Sequence, residues 1–441
     1  MNIRQLALQI IHDVDVKQAY ANIALANMIN RNNFSDQDRR FLTELVYGTV
    51  KAWGTIDWIM SRYVDRPPAK IPPMIRNILR LGLYQLFFLS KVPPSAACNQ
   101  AVELAKKYGH PGTVKFVNAV LRSAARNPEK AEYPTKEADL LRYLALTYFH
   151  PEWLVSRWLK RFDSEAVERL LQENNNPPRL SLRTNTLKIT REALLVRLAQ
   201  EGVTCTASDW TPEGIICHEL PALASLTSLK EGLFQVQDES SMLVAHVVDP
   251  QPGEFVIDAC GAPGGKSTHL AALMKNTGRL LSVDLFEHKL AITRENARRL
   301  GITCLETLQT DAATLFEQFP GKADRVLVDA PCSGLGVLRR KPDSRWRKTE
   351  SQLRDLPKLQ LSILTGAASC LKPGGVLVYS TCTTEPEENE MVIREFLSIR
   401  PDFLLQSAGS RLPSPRQGEF VQLWPHLDFV DGFFIARLKK H

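Results

Sequence analysis

The stretch "EFVIDACGAPGGKSTHLAAL", residues 254–273, joins an apolar run to a helical pattern through a loop rich in glycine. It predicts a buried β-strand, a tight turn at Gly261, Gly264 and Gly265, and a helix whose first N–H groups can bind a ligand. Three later apolar runs, "RLLSVDLF", "RVLVDAP" and "GVLVYSTC", alternate with helical patterns. This alternation predicts a parallel sheet covered on both faces, in which ligands bind at the carboxyl ends of the strands.

The composition limits the class of protein. A chain of 441 residues is expected to form two or three domains. No run approaches the ~20 apolar residues of a membrane helix, and the charged N-terminus indicates neither a signal peptide nor an anchor. The eight cysteines lack Cys-x-x-Cys spacing and no His-x-x-x-His pair is present, which argues against a zinc site or a disulfide framework and favours reduced cytoplasmic thiols. The net charge of +7 suits a polyanionic partner and plain solubility equally well.

The periodicity of the apolar residues divides the chain into three parts. Residues 1–130 have helical spacing between proline-marked breaks, which predicts an all-α domain. Basic residues outnumber acidic ones two to one there, which indicates either contact with RNA or DNA or a solvated helix face. Residues 131–240 read as a helical linker and a small α/β subdomain, which is either an RNA-binding platform or a connector. Residues 241–441 carry the strongly alternating α/β pattern.

Three nucleotide-type ligands compete for the glycine-rich loop. A phosphate-binding P-loop fails because Cys260 occupies the position of its first glycine. The dinucleotide fingerprint fails because Ala262 and Pro263 occupy its middle. S-adenosylmethionine remains, since its amino-acid end suits the loop and its ribose diol requires a carboxylate after the second strand.

Acidic residues follow three successive strands of the predicted sheet. Asp258 ends the first strand, Asp284 ends the second strand 20 residues after Gly264, and Asp311 follows the third apolar segment. A single acid at a strand end is more often a helix cap or a turn residue. Three acids at successive strand ends favour a cofactor site, with Asp284 on the ribose and Asp311 on the adenine amino group.

Two cysteines follow the next two strands. The fourth strand ends in Asp329-Ala330-Pro331-Cys332, where amino-nitrogen methyltransferases commonly have an aromatic residue instead of the cysteine, and the fifth ends at Cys382. Adjacent strands lie ~4.8 Å apart, so both thiols can reach one pocket. Carbon 5 of cytosine is a poor nucleophile until a thiolate adds to carbon 6. Either cysteine alone would be read as structural, but the pair behind a cofactor loop favours this chemistry.

The motifs "DACGAPGGKST", "DAPCSGLGVLRRKPD" and "YSTC…PEENE" resemble those of the RNA cytosine-5 methyltransferase family. The helical N-terminal part, with "FVNAVLR" at 116–122, resembles a NusB-like domain, and "LSLRTN" and "VQDESS" resemble the linking segment of the family. The resemblance implies an all-α NusB-like RNA-binding domain (1–130), a helical linker with a small α/β subdomain (131–240) and a Rossmann-like S-adenosylmethionine-dependent methyltransferase domain (241–441). One departure is Gly261, where the family usually has alanine.

The resemblance also implies roles for individual residues. Cys382 would be the nucleophile, Cys332 would assist product release, and Asp329 would border both the cofactor and the target base. The methionine end of the cofactor would be wrapped by Cys260, Gly261, Ala262, Pro263, Gly264, Gly265 and Lys266, with Asp284 on the ribose and Asp311 on the adenine.

Two charged segments flank the cysteine motifs. The basic run after Cys332 is expected to bind a phosphate backbone and a stacked or flipped base, with a solvated loop as the alternative. It comprises Arg339, Arg340, Lys341, Arg345, Trp346, Arg347 and Lys348. The acids Glu385, Glu387 and Glu388 after Cys382 are expected to be first-turn acids of a helix rather than catalytic groups.

The sequence therefore predicts an S-adenosylmethionine-dependent enzyme that methylates carbon 5 of a cytosine in 16S ribosomal RNA. The same chemistry on transfer RNA is a near alternative, and only the NusB-like domain favours ribosomal RNA. A non-catalytic RNA-binding assembly or antitermination factor is an alternative from another class. We expect a cytoplasmic monomer with no metal and no membrane partner.

Overall fold

The computed structural model describes residues 2–220 and 223–441 and forms two compact units. The helical unit comprises Met1–Asn176 and Leu338–Thr349, and the sheet unit comprises Pro177–Val337 and Glu350–His441. The chain therefore passes from one unit to the other three times. No helix in the described part of the chain is long and apolar enough to cross a membrane.

The helical unit confirms the predicted all-α N-terminal part. Prolines occupy the first positions of α5, α6 and α7, where the missing N–H costs nothing, and Ser35 caps α3 through the N–H of Asp38. The apolar faces of α1, α3 and α5 form one core around Leu8, Leu45 and Ile78. The helices are α1 (Ile3–Val16), α2 (Ala21–Asn30), α3 (Asp36–Lys51), α4 (Trp53–Met60), α5 (Pro73–Phe88), α6 (Pro94–Tyr108), α7 (Pro111–Arg126), α8 (Leu140–Thr147), α9 (Glu152–Leu159) and α10 (Ser164–Glu173).

The segment Leu338–Thr349, which contains the whole basic run, is part of the helical unit. Arg345 is fully buried (0% exposed), and its guanidinium donates hydrogen bonds to the carbonyl oxygens of Phe149 (3.0 Å) and Asn174 (3.2 Å). The indole N–H of Trp346 donates to the carbonyl oxygen of Val50 at 2.9 Å. These side chains complete a protein core.

The prediction that the basic run binds RNA is therefore wrong for its buried members. Arg339 is buried and forms a 3.1 Å ion pair with Glu173, and Arg347 donates to the carbonyl oxygen of Gln18 at 2.9 Å. A run of cations is usually solvated, which suggested an exposed segment. Here the guanidinium groups of Arg339, Arg345 and Arg347 bind carboxylate or carbonyl oxygens of the protein. Lys341 is exposed.

The sheet unit contains all twelve strands of the described chain. They are β1 (Leu180–Thr184), β2 (Thr204–Ala207), β3 (Gly214–Glu219), β4 (Phe234–Val236), β5 (Phe255–Asp258), β6 (Arg279–Asp284), β7 (Leu305–Gln309), β8 (Ala323–Asp329), β9 (Leu371–Thr381), β10 (Phe403–Gln406), β11 (Val421–Leu423) and β12 (Phe433–Lys440). The helices are α11 (Arg191–Gln200), α12 (Thr227–Lys230), α13 (Glu239–Val248), α14 (Gly265–Leu273), α15 (Glu287–Leu300), α17 (Gln352–Ala368), α18 (Glu390–Ile399) and α19 (Pro425–Asp428), while α16 (Ser344–Arg347) lies in the helical unit.

The strands form two sheets. The small α/β subdomain is a four-stranded antiparallel sheet in the order β2-β3-β1-β4. The larger sheet has eight strands in the order β10-β12-β9-β8-β5-β6-β7, with β11 paired to β12. Side chains of successive residues alternate between two cores, with Ile257 and Val328 in one core and Val256 and Leu327 in the other. The central strands are therefore covered on both faces, as predicted.

The larger sheet is mixed, which corrects the expectation of a parallel sheet. Strands β5 to β9 pair in parallel, but β12 is antiparallel to β9, and β10 and β11 are antiparallel to β12. The apolar runs before residue 382 predict parallel strands because helices separate them. Beyond residue 382 the chain returns to the sheet edge through α18 and α19, and the direction of β12 follows from its long-range pairing with β9, which no local pattern encodes.

Candidate active site

The glycine-rich loop at the carboxyl end of β5 is held by backbone hydrogen bonds. The N–H of Gly261 donates to the carbonyl oxygen of Val283, and the N–H of Gly264 donates to that of Gly261, both at 2.8 Å. Gly264 has a φ of +95°, which favours glycine, and α14 begins at the next residue. A Cβ added at Gly261 would lie 2.3 Å from Oγ of Ser282. A side chain at position 261 would therefore clash with Ser282, and glycine avoids this clash.

The predicted cofactor-loop residues lie together around this turn. Cys260, Ala262, Gly265 and Lys266 are half-buried, and Pro263 is exposed. Burial raises the pKa of the Cys260 thiol well above its usual range, so this cysteine stays protonated. A Cβ added at Gly265 would meet no atom within 4 Å, which leaves open space at the start of α14.

The three strand-end acids have different surroundings. Asp258 is fully buried, its Oδ2 accepts a 2.7 Å hydrogen bond from Ser267, and its Oδ1 has no hydrogen-bond partner among the described residues. Asp284 ends β6 and accepts from the N–H of Phe286, and Asp311 follows β7 and accepts from the N–H of Ala313, both at 2.9 Å. Asp284 and Asp311 thus act locally as turn and cap residues, and both lie at the carboxyl edge of the sheet.

Burial raises the pKa of Asp258 from 3.8 to about 7. An acid with a higher pKa in the folded chain contributes stability below pH 3.8 and loses that contribution as the pH rises through about 7. We expect Asp258→Asn to lack this loss, which amounts to as much as roughly 4 kcal/mol in the wild type. Unfolding measured at several pH values between these limits tests the prediction. Parallel pH profiles of the two proteins would contradict it.

Lys266 and Asp329 form an ion pair between the loop and the end of β8. Nζ of Lys266 lies 2.7 Å from Oδ2 of Asp329, and Ser380, which pairs with Asp329 in the sheet, donates to Oδ1 at 2.8 Å. Burial alone would lower the pKa of Lys266, but the negative charges of Asp329 and then of Cys382 raise it above its usual value. Lys266 is therefore a fixed cation within electrostatic reach of Cys382.

The two motif cysteines meet at the ends of the adjacent parallel strands β8 and β9. Their Sγ atoms are 3.3 Å apart, and both side chains are half-buried. The hydrogen bond with Cys382, together with burial, raises the pKa of Cys332 well above its usual value. The two sulfurs are within hydrogen-bond distance of each other, and either thiol can be the donor. The prediction that the strand ends bring both thiols together is confirmed.

Glu388 links the two cysteine loops. Its Oε2 accepts from the N–H of Ser333 (2.7 Å) and from Nε2 of Gln360 (3.0 Å), and the Gln360 amide also donates to the carbonyl oxygen of Pro331. Glu388 is a first-turn acid of a 3₁₀ helix, Pro386–Glu388, and not of α18, which begins only at Glu390. Its side chain is fully buried. Its carboxylate instead satisfies the loop that carries Cys332.

Glu385 is fully buried and is the N-cap residue of the same 3₁₀ helix rather than a first-turn acid, while the half-buried Glu387 is a first-turn acid of that helix. The loop after Cys382 is further held by Asn389, whose amide donates to the carbonyl oxygen of Thr383 at 3.0 Å. Neither Gln360 nor Asn389 was predicted from the sequence to hold the loops that carry the two cysteines. The "PEENE" motif was a signal for Asn389, whereas Gln360 lies in a long helical pattern with nothing to mark it.

The site fits S-adenosylmethionine. The open space at Gly265 leaves room for a ligand at the N-terminus of α14, and Asp284 and Asp311 lie at the same carboxyl edge of the sheet. A Rossmann-like sheet with this loop and these strand-end acids defines the chain as an S-adenosylmethionine-dependent methyltransferase.

Comparison with known proteins identifies the family. Residues 245–439 match the family of the 16S rRNA methyltransferase RsmB/F, residues 1–126 match the NusB family, and residues 150–221 match the RsmF/B-like ferredoxin-like domain. The chain is 42% identical to "Probable ribosomal RNA small subunit methyltransferase B" of Bacillus subtilis, over all of this chain and 99% of the relative. It is 33% identical to "Ribosomal RNA small subunit methyltransferase B" of Citrobacter koseri with the same coverage.

Solved structures agree with this assignment. The crystal structure of PH0851 covers 100% of this chain with a TM-score of 0.86 and 29% identity, and 99% of that chain is matched. A methyltransferase homologue from Pyrococcus horikoshii covers 69% of this chain, and 99% of its own, with a TM-score of 0.60 and 30% identity. The chain therefore belongs to the RsmB/F family of 16S rRNA methyltransferases and has a NusB-like domain ahead of its ferredoxin-like and methyltransferase parts.

Proposed function

We propose that the chain transfers a methyl group from S-adenosylmethionine to carbon 5 of a cytosine in 16S rRNA, with Cys382 as a covalent nucleophile. The observation that carries this proposal is the 3.3 Å approach of the Cys332 and Cys382 sulfurs at the ends of neighbouring strands. Methylation of an amino nitrogen needs no thiol, whereas methylation at carbon 5 requires a nucleophile at carbon 6.

The proposed reaction assigns one step to each sulfur. The thiolate of Cys382 forms a bond to carbon 6 of the cytosine, and the electron pair of the 5,6 double bond becomes available at carbon 5. S-adenosylmethionine, when bound, would supply the electrophilic methyl group for carbon 5, and the electron pair of the broken methyl–sulfur bond would stay on the sulfur of the cofactor. A base then takes the proton of carbon 5, the double bond re-forms, and the bond between Cys382 and carbon 6 breaks. Cys332, which holds its proton beside Cys382, assists this last step.

The charges around the cysteines support this division. The ammonium group of Lys266 favours a thiolate at Cys382, and a thiol at Cys332, 3.3 Å away, can then donate to that sulfur. A thiolate next to a cation and a hydrogen-bond donor is a better nucleophile at neutral pH than a buried thiol. Cys382 is therefore assigned as the nucleophile and Cys332 as the group that assists release.

The remaining site residues bind and orient the cofactor. Residues 260–266 would surround its methionine end, Asp284 would accept from the ribose diol, and Asp311 would accept from the adenine amino group. Asp329 lies between the cofactor loop and β9 through its contacts with Lys266 and Ser380, and this position suits a residue that borders both the cofactor and the base.

Family membership and the NusB-like part support 16S rRNA over transfer RNA as the substrate. Bisulfite sequencing of total RNA from a strain that lacks the gene tests this proposal. We expect a 16S rRNA cytosine that is protected in the parent strain to become convertible in the deletion strain. Expression of the wild-type chain should restore protection.

Three results would overturn parts of the proposal. Loss of protection in transfer RNA alone would change the substrate, and unchanged protection in every RNA would remove the activity. RNA binding without any measurable affinity for the cofactor in equilibrium dialysis would favour a non-catalytic RNA-binding factor.

A further inference from the structure

A second cluster of titratable groups lies in the sheet unit and includes none of the active-site residues. Glu213 immediately precedes β3 of the small subdomain, His246 lies in the last turn of α13, and His269 lies in the middle of α14. One ligand atom from each side chain lies within 4.8 Å of the others. No other such group of three or more histidine, cysteine or acidic side chains occurs among residues 2–220 and 223–441.

The contacts in this cluster are close. Nε2 of His246 and Nε2 of His269 each lie 3.0 Å from Oε1 of Glu213. His269 is only 1% exposed, and neither of its ring nitrogens has a hydrogen-bond partner among the described residues. A buried imidazole without a hydrogen bond is costly and requires an explanation. Nε2 of His246 is hydrogen-bonded to the Glu213 carboxylate, whereas Nε2 of His269 approaches the same carboxylate oxygen without hydrogen-bond geometry. A cation shared by the three side chains would give His269 a partner.

We propose that Glu213, His246 and His269 bind one divalent transition-metal ion, with Zn²⁺ as the best match. Imidazole and carboxylate ligands suit Zn²⁺, and its bond lengths of about 2.0–2.2 Å place tetrahedral ligand atoms roughly 3.3 Å apart. The observed separations of 3.0 Å need only a small expansion to reach this value. Three protein ligands leave the fourth position for water, which can enter beside the half-buried His246.

A metal ion here would join the small subdomain to two helices of the methyltransferase part. His269 lies one turn after Lys266, so the ion would anchor the helix that begins at the cofactor loop. Arg183 of β1 already holds the same turn, because its guanidinium donates to Thr268 at 2.9 Å and to the carbonyl oxygen of Gly265 at 2.6 Å. The positive charge of Arg183 would repel the ion, and the carboxylate of Glu213 would offset this repulsion. We therefore assign the ion a structural role.

The experiment uses the full chain after removal of metals with a chelator. Titration with Zn²⁺ in a calorimeter should show one equivalent bound and should raise the melting temperature. Titration with Co²⁺ should give the visible absorption of a tetrahedral site, and Zn²⁺ should abolish it. Absence of binding in the wild-type chain would overturn the proposal directly, whatever the variants do.

Variants locate the ion. His246→Gln changes the most accessible ligand, and its affinity should fall by more than about tenfold, since even outer-shell partners change metal affinity 10- to 100-fold. The exposed His218 makes His218→Gln a matched control that should bind as the wild type does. The double variant Cys332→Ala/Cys382→Ala should retain the ion. Loss of binding in the cysteine variant, or unchanged binding in a folded His246→Gln protein, would overturn the assignment.

Discussion

Replacing Cys382 with alanine is expected to reduce methyl transfer to the background rate, a loss of at least about 10³-fold. The variant lacks the sulfur that adds to carbon 6, and no other described side chain shares its position at the end of β9 beside Cys332. Transfer of labelled methyl groups from the cofactor to small-subunit RNA measures the effect. Binding of the cofactor by equilibrium dialysis should be unchanged, because the loop at 260–266 remains intact.

Cys332→Ala should have a different effect from Cys382→Ala. Without the residue that assists release, the protein should accumulate a covalent adduct with RNA, visible as a slower band on a denaturing gel. Cys205→Ala, in β2 of the small subdomain, is a matched control that should neither trap RNA nor lose activity. Substantial transfer by Cys382→Ala, or an adduct formed by that variant, would show that the roles of the two cysteines are assigned incorrectly.

Arg345→Met is expected to destabilise the helical unit by about 2–4 kcal/mol. Methionine fills a similar volume but leaves the carbonyl oxygens of Phe149 and Asn174 and the amide oxygen of Asn175 without their donor. Each of these bonds is 3.2 Å or shorter in the wild-type chain. Hydrogen exchange of α9 and α10 together with denaturant unfolding measures the change.

Lys341→Met is the control for this prediction. Lys341 belongs to the same basic run but is exposed, so its replacement should change stability by less than about 0.5 kcal/mol. If Arg345 acted on RNA instead of on the protein core, Arg345→Met would weaken RNA binding with no loss of stability. That outcome would restore the interpretation of the basic run that the structure contradicts.

Local patterns were sufficient to predict which residues meet at the carboxyl edge of the larger sheet. The cofactor loop, Asp284, Asp311 and both cysteines follow apolar strands directly, and parallel strands bring their carboxyl ends to one edge of the sheet. The closeness of Cys332 and Cys382 follows from the pairing of β8 with β9. These features depend on neighbours in sequence and on one rule of sheet geometry, so they could be predicted.

The errors concern groups whose partners are distant in sequence. The acidic residues around Glu388 are typical of a helix N-terminus, but the fold brings the N–H of Ser333 to the Glu388 carboxylate. The basic residues around Arg345 are typical of an exposed loop, but its guanidinium donates to the carbonyl oxygens of Phe149 and Asn174, which lie far earlier in the chain. Long-range pairing of this kind leaves no periodic signal.

The contribution of Leu338–Thr349 to the helical unit has a consequence for biosynthesis. The ring of Trp346 lies against Gly54, where an added Cβ would be only 2.4 Å away. The ribosome must translate residues 177–337 before it reaches this segment, which takes about 8–30 s at ordinary elongation rates. During that interval the nascent helical unit lacks Arg345 and Trp346. The carbonyl oxygens of Phe149 and Asn174, which later accept from Arg345, are hydrated until then. The first domain to leave the ribosome is therefore completed only after most of the second has been synthesised.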